Sequence, residues 1–354
     1  MHDAIFLFKD FDEATYLELN PDVFEVVKTR SFNSGLEHCI SHGLDEDRPG
    51  IPQSIKEHML YSPLESSPPE HLRKRVHGDE SLSNFENAGR LISYNIHSSI
   101  HSINESYENK RILDFGCGCG RLIKYLSRFS DNNNFYGTDI DDEAITWCQN
   151  ELSNMGKFLT NKVMPPLPFD DNFFDVIYSI SVFTHLPEEM QFAWLEELGR
   201  ITKRGGYLLL TTHGEELLNK APKRYQKQLK NAGFLYSKGD GTDGLPDFYQ
   251  TSFHTDAYIQ EHWSNYFQID KIIKKRDYES PGFGNLQEAL THFISSYWRQ
   301  TVHAITCIAV LVNYSTTAPM TVTRRIDRSN GGDGLVPRSR NRSPSSIQPY
   351  CNIL

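Results

Sequence analysis

The stretch ILDFGCGCGRLIKYL, residues 112–126, places three glycines and two cysteines within five consecutive positions. An apolar run precedes these positions and apolar residues at helical spacing follow them, which predicts a buried strand, a tight loop and a helix. A loop with so few side chains indicates that its backbone lies close to something else. A metal, a phosphate group and another ligand are the three alternatives.

The residues of the loop disfavour the first two alternatives. Cys117 and Cys119 are separated by one residue, and no second Cys or His pair lies nearby at the spacing of zinc ligands, so we expect no metal here. A dinucleotide-binding loop needs a third glycine at position 121, where this chain has Arg121. An NAD(P)-dependent Rossmann oxidoreductase therefore stays open as an alternative that Arg121 disfavours.

Length, charge and apolar content are those of an ordinary globular chain. Of the 354 residues, 38% are hydrophobic and 23% are charged, and the formal net charge of -10 disfavours a nucleic-acid partner. No apolar run reaches the ~20 residues that span a bilayer, and the first residues do not form a secretory signal. The six cysteines show no paired framework, which fits a reducing compartment. We expect a cytoplasmic protein without a membrane span, and its oligomeric state is open.

Strand and helix patterns alternate from residue 110 to about residue 290. The stretches RILDF, NFYGTDI, FDVIYSI and YLLLTTH read as strands, and RLIKYLSRF, DEAITWCQNEL and PEEMQFAWLEELGRI between them read as helices. Strands that alternate with helices of this length predict an α/β fold, a doubly wound and mostly parallel sheet with helices on both faces.

Changes in composition divide the chain into four regions. These are a small helical module, residues 1–52; a linker and helical cap, residues 53–105; the α/β domain, residues 106–292; and a C-terminal extension, residues 293–354. The module's helices are expected to end at Asn20-Pro21 and near Gly43. The extension is expected to be mostly disordered from about residue 315. A final strand is expected in GFGNLQEALTHF, but the chain runs on into SSYWRQTVHAITCIAVLVNY, which leaves the end of the domain open.

The Asp-x-Gly-x-Gly-x-Gly pattern from Asp114 to Gly120 resembles motif I of the class I methyltransferases that use S-adenosylmethionine. The stretches PPLPFDDNFFDVIYSISVFTHLPEE and LGRITKRGGYLLLTTHG resemble the segments of that family that lead into its fourth and fifth strands. The resemblance covers about residues 106–285 and implies a seven-stranded Rossmann-like sheet. DGLPDFYQTSFHTDAYIQEHWSNYFQI is similar to a segment of methyltransferases encoded among bacterial polysaccharide genes. FDEATYLELNPDV resembles an N-terminal segment of bacterial surface-glycan proteins.

This resemblance implies S-adenosylmethionine as the cofactor and methyl transfer as the reaction. The expected acceptor is a hydroxyl of a sugar, of a glycan precursor or of another small molecule. A non-catalytic binding module that keeps the cofactor fold stays open as an alternative.

The expected cofactor site follows from the carboxyl ends of the first strands. A carboxylate such as Asp114 suits the ammonium group of the cofactor, and Arg121 could meet its carboxylate or face solvent. Asp139 ends the second strand, 21 residues after Gly118, where it can accept hydrogen bonds from ribose hydroxyls; its alternative role is a helix N-cap, for which Asp141 is better placed. The full expected set is Asp114, Gly116, Cys117, Gly118, Gly120, Arg121, Asp139, Ile140, Asn161, Ser179 and Ser181.

Two of these roles carry predicted mutational effects. Because charge-assisted hydrogen bonds contribute on this scale, Asp139→Ala should weaken cofactor binding by at least ~1.5 kcal/mol. Gly118→Val should abolish binding and leave the fold intact.

A hydroxyl acceptor needs a general base, and histidine is the usual choice near neutral pH. His213 ends the fifth strand, His185 lies beyond the fourth, and His254 lies in the later segment expected to cover the site. For each of these histidines the alternative is a structural role, such as capping a helix or pairing with a loop backbone.

Overall fold

The computed structural model describes residues 11–29, 31–32, 34–59, 66–78, 80–102, 109–127, 134–215, 218, 222–237, 246–273 and 307–313. The segment GFGNLQEALTHF and the stretch expected to be disordered from about residue 315 lie outside the described residues. Among the described helices, none combines the length and the apolar character needed to cross a lipid bilayer.

The N-terminal helices pack around a core of their own. They are α1 (Glu13–Leu19), α2 (Pro21–Lys28), α3 (Gly35–His38), which continues into a π-helical turn at Cys39–Gly43, and α4 (Gln53–Met59). The Asn20 side chain lies between α1 and α2 and donates hydrogen bonds to the carbonyls of Tyr16 and Pro49, 2.7 and 3.0 Å away. Proline then begins α2, at a position where no amide hydrogen is needed. The predicted end of the first helix at Asn20-Pro21 is confirmed.

Two further helices, α5 (Glu70–His77) and α6 (Leu82–Ser102), precede the first strand. Ile96 and Ile100 of α6 are buried in the core beside the sheet. Helix α6 therefore covers one face of the domain, as its apolar spacing predicts.

Five parallel strands form the centre of the sheet. They are β1 (Ile112–Phe115), β2 (Phe135–Asp139), β3 (Lys157–Thr160), β4 (Phe174–Ser179) and β5 (Thr202–His213), in the order β3-β2-β1-β4-β5. All four residues of β1 are buried, which is the pattern of a strand covered on both faces. The predicted doubly wound, mostly parallel sheet is confirmed.

Helices cover both faces of these strands. Helices α7 (Ile123–Leu126) and α8 (Asp142–Glu151) pack on the face where Ile112 lies, and α9 (Glu188–Ile201) packs on the opposite face with Leu113. Asp141 caps α8, since its side chain accepts hydrogen bonds from the first amides of that helix. The cap role is thereby taken by Asp141, and Asp139 is left for another role.

The open edge of β5 is completed by two strands from late in the chain. Strand β9 (Cys307–Asn313) runs antiparallel to both β5 and β8 (Gln268–Ile273), which gives seven strands in the order β3-β2-β1-β4-β5-β9-β8. Strand β9 lies beyond residue 292, where the domain is expected to end. Its sequence, CIAVLVN, is rich in the β-branched residues that favour a strand.

A hairpin adds two further strands to this sheet at the carboxyl end of β5. Strands β6 (Phe234–Ser237) and β7 (Thr251–His254) pair antiparallel, and Phe253 of β7 pairs with His213 of β5. Helix α10 (Lys223–Ala232) precedes the hairpin and α11 (Asp256–His262) follows it. The hairpin brings residues 246–250 to the carboxyl end of the sheet.

Candidate functional site

The predicted site residues converge where β1, β2, β4 and β5 end. In a parallel sheet these ends lie at one edge, and the loops that follow them form the usual ligand site. Three of the loops begin at Gly116, Ile140 and Ile180, and His213 ends β5.

The glycine loop turns back over the ends of β1 and β2. The amides of Gly116 and Cys117 both donate to the carbonyl of Thr138, at 2.8 and 3.0 Å. Gly116, Gly118 and Gly120 have φ angles of 82°, 52° and 74°, in the left-handed region that side chains disfavour. The backbone path itself therefore demands these three glycines.

Side chains of the protein itself occupy the space beside these three glycines. A Cβ atom on Gly116 would collide with Val182, one on Gly118 with Val76 of α5, and one on Gly120 with Leu152. Valine at position 118 would be strained at this φ angle and would displace Val76, so we expect Gly118→Val to disturb the packing of the loop as well as cofactor binding. Close approach of a ligand is not the sole reason for the glycines.

Asp139 ties the end of β2 to the glycine loop. One of its carboxylate oxygens accepts from the Gly118 amide at 2.7 Å, and the other accepts from the Asp141 amide at 2.9 Å. Burial raises the pKa of Asp139, and these backbone donors oppose the rise. A carboxylate oxygen has two acceptor sites, so the oxygens keep capacity for two further donors. The ribose role of Asp139 stays a prediction that this geometry accommodates.

Asp114 is a carboxyl group enclosed by the protein, with 1% of its surface exposed. Neither oxygen makes a hydrogen bond of ordinary geometry within the described residues, although the Tyr178 hydroxyl lies near enough to favour the ionised form. Burial raises the pKa of Asp114 to about 8; Tyr178 and Arg121 oppose the rise, and Asp139 adds to it. A buried carboxyl group whose oxygens have no hydrogen-bond partner in the described residues suits a cationic ligand group, because the cation favours the ionised form.

Arg121 is buried, with 4% of its surface exposed, so the alternative of a solvent-facing side chain is wrong. Its guanidinium donates to Nδ1 of His77 at 3.1 Å and lies over the Phe85 ring at 5.9 Å. His77 ends α5 and Phe85 lies on α6, so the N-terminal helices hold this cation beside the glycine loop. A role in binding a ligand carboxylate stays a prediction.

Cys117 contributes a buried thiol to the loop. The Cys117 and Cys148 thiols each lie 3.5 Å from the Gly118 carbonyl oxygen. Burial raises the pKa of Cys117, so the thiol stays protonated and unreactive at neutral pH. The described residues hold no group of three or more His, Cys, Asp or Glu side chains that could bind a metal ion.

Asn161 and Ile140 lie next to Asp139. The Asn161 amide donates to the Asp139 carbonyl at 2.9 Å, and its Oδ1 atom is buried without a hydrogen-bond partner in the described part of the chain. Ile140 directly follows Asp139 and is half-buried. This places Asn161 beside the expected ribose site, where an adenine ring would continue.

Ser179 and Ser181 lie at the end of β4 in different roles. The Ser179 hydroxyl is fully buried and donates to the Phe115 carbonyl at 2.9 Å, which joins β4 to β1. Ser181 has a φ angle of 63°, which is unusual for a residue with a side chain. Its amide donates to Thr211 at 2.8 Å, and its carbonyl accepts from the Tyr249 hydroxyl at 3.1 Å.

His185 and His213 are brought together, with ring centroids 6.0 Å apart. Nδ1 of His185 lies 2.6 Å from the Gln250 carbonyl, and Nδ1 of His213 lies 3.2 Å from the Ser252 carbonyl. A carbonyl only accepts hydrogen bonds, so each Nδ1 must carry the proton. In the neutral ring, Nε2 then holds the lone pair that a general base needs.

His254 is separated from this pair. Its Nε2 contacts the Gln191 side-chain oxygen at 2.8 Å, and its ring packs against Phe234 and Trp263. Burial lowers the pKa of His254 to about 3, so the ring stays neutral. These surroundings match the structural alternative stated for this histidine.

Two residues that reach the glycine loop could not be identified from the sequence. His77 and Val76 reach the glycine loop from about 40 residues upstream, and no local motif marks them. Tyr249 lies in the segment expected to cover the site, but its contact with His185 depends on the hairpin β6–β7. Only the assembled fold shows these pairings.

Together these groups fit S-adenosylmethionine. The buried Asp114 suits an ammonium group, the buried Arg121 suits a carboxylate, and Asp139 with Asn161 offers acceptors at the end of β2. Burial raises the pKa of Tyr249; the charge of Asp139 adds to the rise and that of Arg121 opposes it, so both charges act on this side chain.

Known proteins match the central part of the chain. The profile of a family described as a methyltransferase domain matches residues 113–210. A fatty-acid O-methyltransferase of Mycolicibacterium smegmatis is 31% identical over 104 residues, 29% of this chain and 37% of that protein. A tRNA U34 carboxymethyltransferase of Nautilia profundicola is 32% identical over 137 residues, 36% of this chain and 43% of that protein. The crystal structure of a SAM-dependent methyltransferase from Methanosarcina mazei has a TM-score of 0.40 and 19% identity, covering 60% of this chain and 94% of that one.

The chain spans less than half the length of these two curated relatives. The matched segment begins in β1, contains the glycine loop and Asp139, and ends within β5. Residues 113–210 are therefore a methyltransferase domain of the class I, S-adenosylmethionine-dependent kind.

Proposed function

We propose that the protein transfers a methyl group from S-adenosylmethionine to a hydroxyl of a sugar, a glycan precursor or another small molecule. The observation that carries this proposal is the pair His185 and His213, each with Nδ1 held by a backbone carbonyl, at the same edge of the sheet as the glycine loop. A hydroxyl acceptor requires such a base, whereas a carboxylate acceptor does not.

The cofactor would be held by groups already in place. Asp114 would bind the ammonium group, Arg121 the carboxylate, Asp139 the ribose hydroxyls and Asn161 the adenine edge. When bound, the cofactor supplies a methyl group activated by a positive sulfur. The protein must then align the acceptor with that methyl group, and such positioning can lower the barrier by roughly 7–11 kcal/mol.

The acceptor proton would pass to Nε2 of one of the two histidines. The Nδ1 proton remains on the ring and donates to the Gln250 or Ser252 carbonyl, which stabilises the imidazolium that forms. His185 is partly exposed, whereas 1% of His213 is exposed. We therefore assign the base to His185 and a supporting role to His213. A positioned base contributes about 10²–10⁴-fold.

The acceptor class rests on the chemistry around the two histidines. Tyr249 and Phe253 pack against the two histidine rings, and Gln250 and Ser252 supply the carbonyls that accept from them; all four side chains are uncharged. This favours a neutral hydroxyl over a phosphate or carboxylate at the reacting position. The buried free thiols Cys39, Cys117, Cys119 and Cys148 support a reducing compartment such as the cytoplasm.

Incubation with isotope-labelled S-adenosylmethionine and separate pools of candidate acceptors tests the proposal. Nucleotide sugars and oligosaccharides should gain one labelled methyl group, detected as an increase in mass, and fatty acids and tRNA should not. His185→Gln should abolish most of the gain and should leave cofactor binding unchanged. Labelling of fatty acids or tRNA alone would overturn the acceptor class, and full activity of His185→Gln would overturn the assignment of the base.

A further inference from the structure

Tyr249 contacts both the proposed base and the loop after β4. Its ring stacks on His185 with centroids 4.2 Å apart and an interplanar angle of 22°. Its hydroxyl donates to the Ser181 carbonyl at 3.1 Å. One side chain from the hairpin region, distant in the sequence, thus contacts two residues of the loop after β4.

Ser181 needs support from outside its own loop. A left-handed φ angle costs a residue with a side chain on the order of 1–3 kcal/mol and persists where the surroundings enforce it. Thr211 of β5 holds the Ser181 amide, and Tyr249 holds its carbonyl. The turn is therefore fixed from two sides, one of which is Tyr249.

The His185 ring also needs a second restraint. Its hydrogen bond to the Gln250 carbonyl sets the tautomer only while the ring keeps one orientation, and a single hydrogen bond does not by itself hold that orientation. A stacked neighbour fixes the plane of the ring. Tyr249 and Gln250 are consecutive residues, so one short segment supplies both restraints.

The charges of two expected cofactor-binding residues also act on Tyr249. Burial raises the pKa of its hydroxyl; the negative charge of Asp139 adds to the rise and the positive charge of Arg121 opposes it. Both charged groups are therefore close to the ring that stacks on His185.

We propose that Tyr249 is a positioning residue for methyl transfer, which fixes the ring plane of His185 by stacking and the Ser181 turn by its hydroxyl. The proposal rests on the proposed function, in which His185 is the base. A merely structural Tyr249 would contribute to stability alone and would not act through His185.

A double-mutant cycle on the full chain tests this coupling. Tyr249→Leu should lower kcat by about 10- to 100-fold, with cofactor affinity changed by less than about threefold. In a His185→Gln background the same substitution should lower kcat no further. Tyr249→Phe keeps the ring and should restore most of the lost rate. An equal loss of kcat in both backgrounds would overturn the proposal.

A second measurement does not depend on methyl transfer. Nitrogen-15 NMR of the histidine rings should show the Nδ1-protonated tautomer for His185, identified by the signal that His185→Gln removes. Tyr249→Leu should produce a mixture of tautomers. Tyr236→Leu is the matched control, since the Tyr236 hydroxyl donates to the Phe248 carbonyl in the same segment at 2.7 Å, and His185 should keep its tautomer there.

The kinetic and NMR measurements distinguish failure of the positioning role of Tyr249 from failure of the proposed function. An unchanged His185 tautomer in Tyr249→Leu would overturn the positioning role whatever the reaction is. A changed tautomer, together with no methyl transfer to any acceptor pool, would support the positioning of His185 and overturn the proposed function.

Discussion

At the scale of single residues, Asp114 shows how burial sets the chemistry of a site. A carboxyl group with a pKa of about 8 is mostly protonated at pH 7, whereas an ordinary aspartate is ionised. A cationic ligand group favours the ionised form, so ligand binding and proton release become linked.

We expect cofactor binding to tighten as the pH rises from 6 to 8. Below the pKa of Asp114 each pH unit should weaken binding by up to about tenfold, because the carboxyl group must lose its proton before it pairs with the ammonium group. Titration calorimetry in two buffers with different ionisation enthalpies should show release of close to one proton at pH 7. The dependence should vanish in Asp114→Asn, and an affinity independent of pH in the unmodified protein would contradict this role.

Asp139 has a structural role and an expected binding role, and one substitution would remove both. Asp139→Ala leaves the Gly118 and Asp141 amides without their acceptor and removes the expected ribose contact. We expect cofactor affinity to fall by at least ~1.5 kcal/mol, about tenfold or more, and the melting temperature to fall as well. Calorimetric titration and thermal unfolding measure the two effects. Unchanged affinity would exclude the ribose role.

At the scale of elements, helix α5 lies against the glycine loop through both apolar and charged contacts. Leu72 is buried with Cys119 of the loop, and Val76 packs on Gly118. The Arg75 guanidinium reaches Asp141 and Glu143 of the α8 region at 2.8 and 2.7 Å. These charged groups are partly exposed, so each pair adds only about 0–1 kcal/mol to the apolar packing.

We expect Arg75→Gln to loosen α5. Hydrogen exchange at the glycine loop should speed up by up to about fivefold, and added salt should produce the same effect in the unmodified protein, because salt screens exposed pairs. Lys74→Gln is the control, since Lys74 lies on the same helix and pairs with Glu80 at 2.6 Å. Equal exchange rates in the two variants would show that the apolar contacts of α5 hold it.

At the scale of the whole molecule, strand β9 is required to complete the sheet, because it lies between β5 and β8. Without it, β5 and β8 each present an unpaired edge, which exposes backbone groups to other chains. We expect a chain that ends at residue 316 to keep a cooperative thermal transition, and a chain that ends at residue 292 to lose it and aggregate. Similar melting curves for both truncations would show that β9 contributes little to the fold.

Local patterns predict the central fold because its strands are short, apolar and buried on both faces. The stretches RILDF and FDVIYSI become β1 and β4, and the Asp-Gly pattern becomes the loop between β1 and α7. Contacts between segments that are distant in the chain are harder to predict from a single sequence. The contact of His77 with Arg121 and the separation of His254 from His185 depend on how α5 and the hairpin β6–β7 fold back. The position of β9 is set by the vacant edge of β5, which no local pattern reveals.

The late position of β9 also matters while the protein is being made. A ribosome has released both neighbours of this strand, β5 and β8, long before residues 307–313 emerge. Until then the sheet of the nascent chain lacks the strand between β5 and β8, and both of these strands expose unpaired backbone groups that can pair with other chains. The sheet is therefore completed only after residue 313 has emerged, and chaperones that shield strand edges should act on the chain before then.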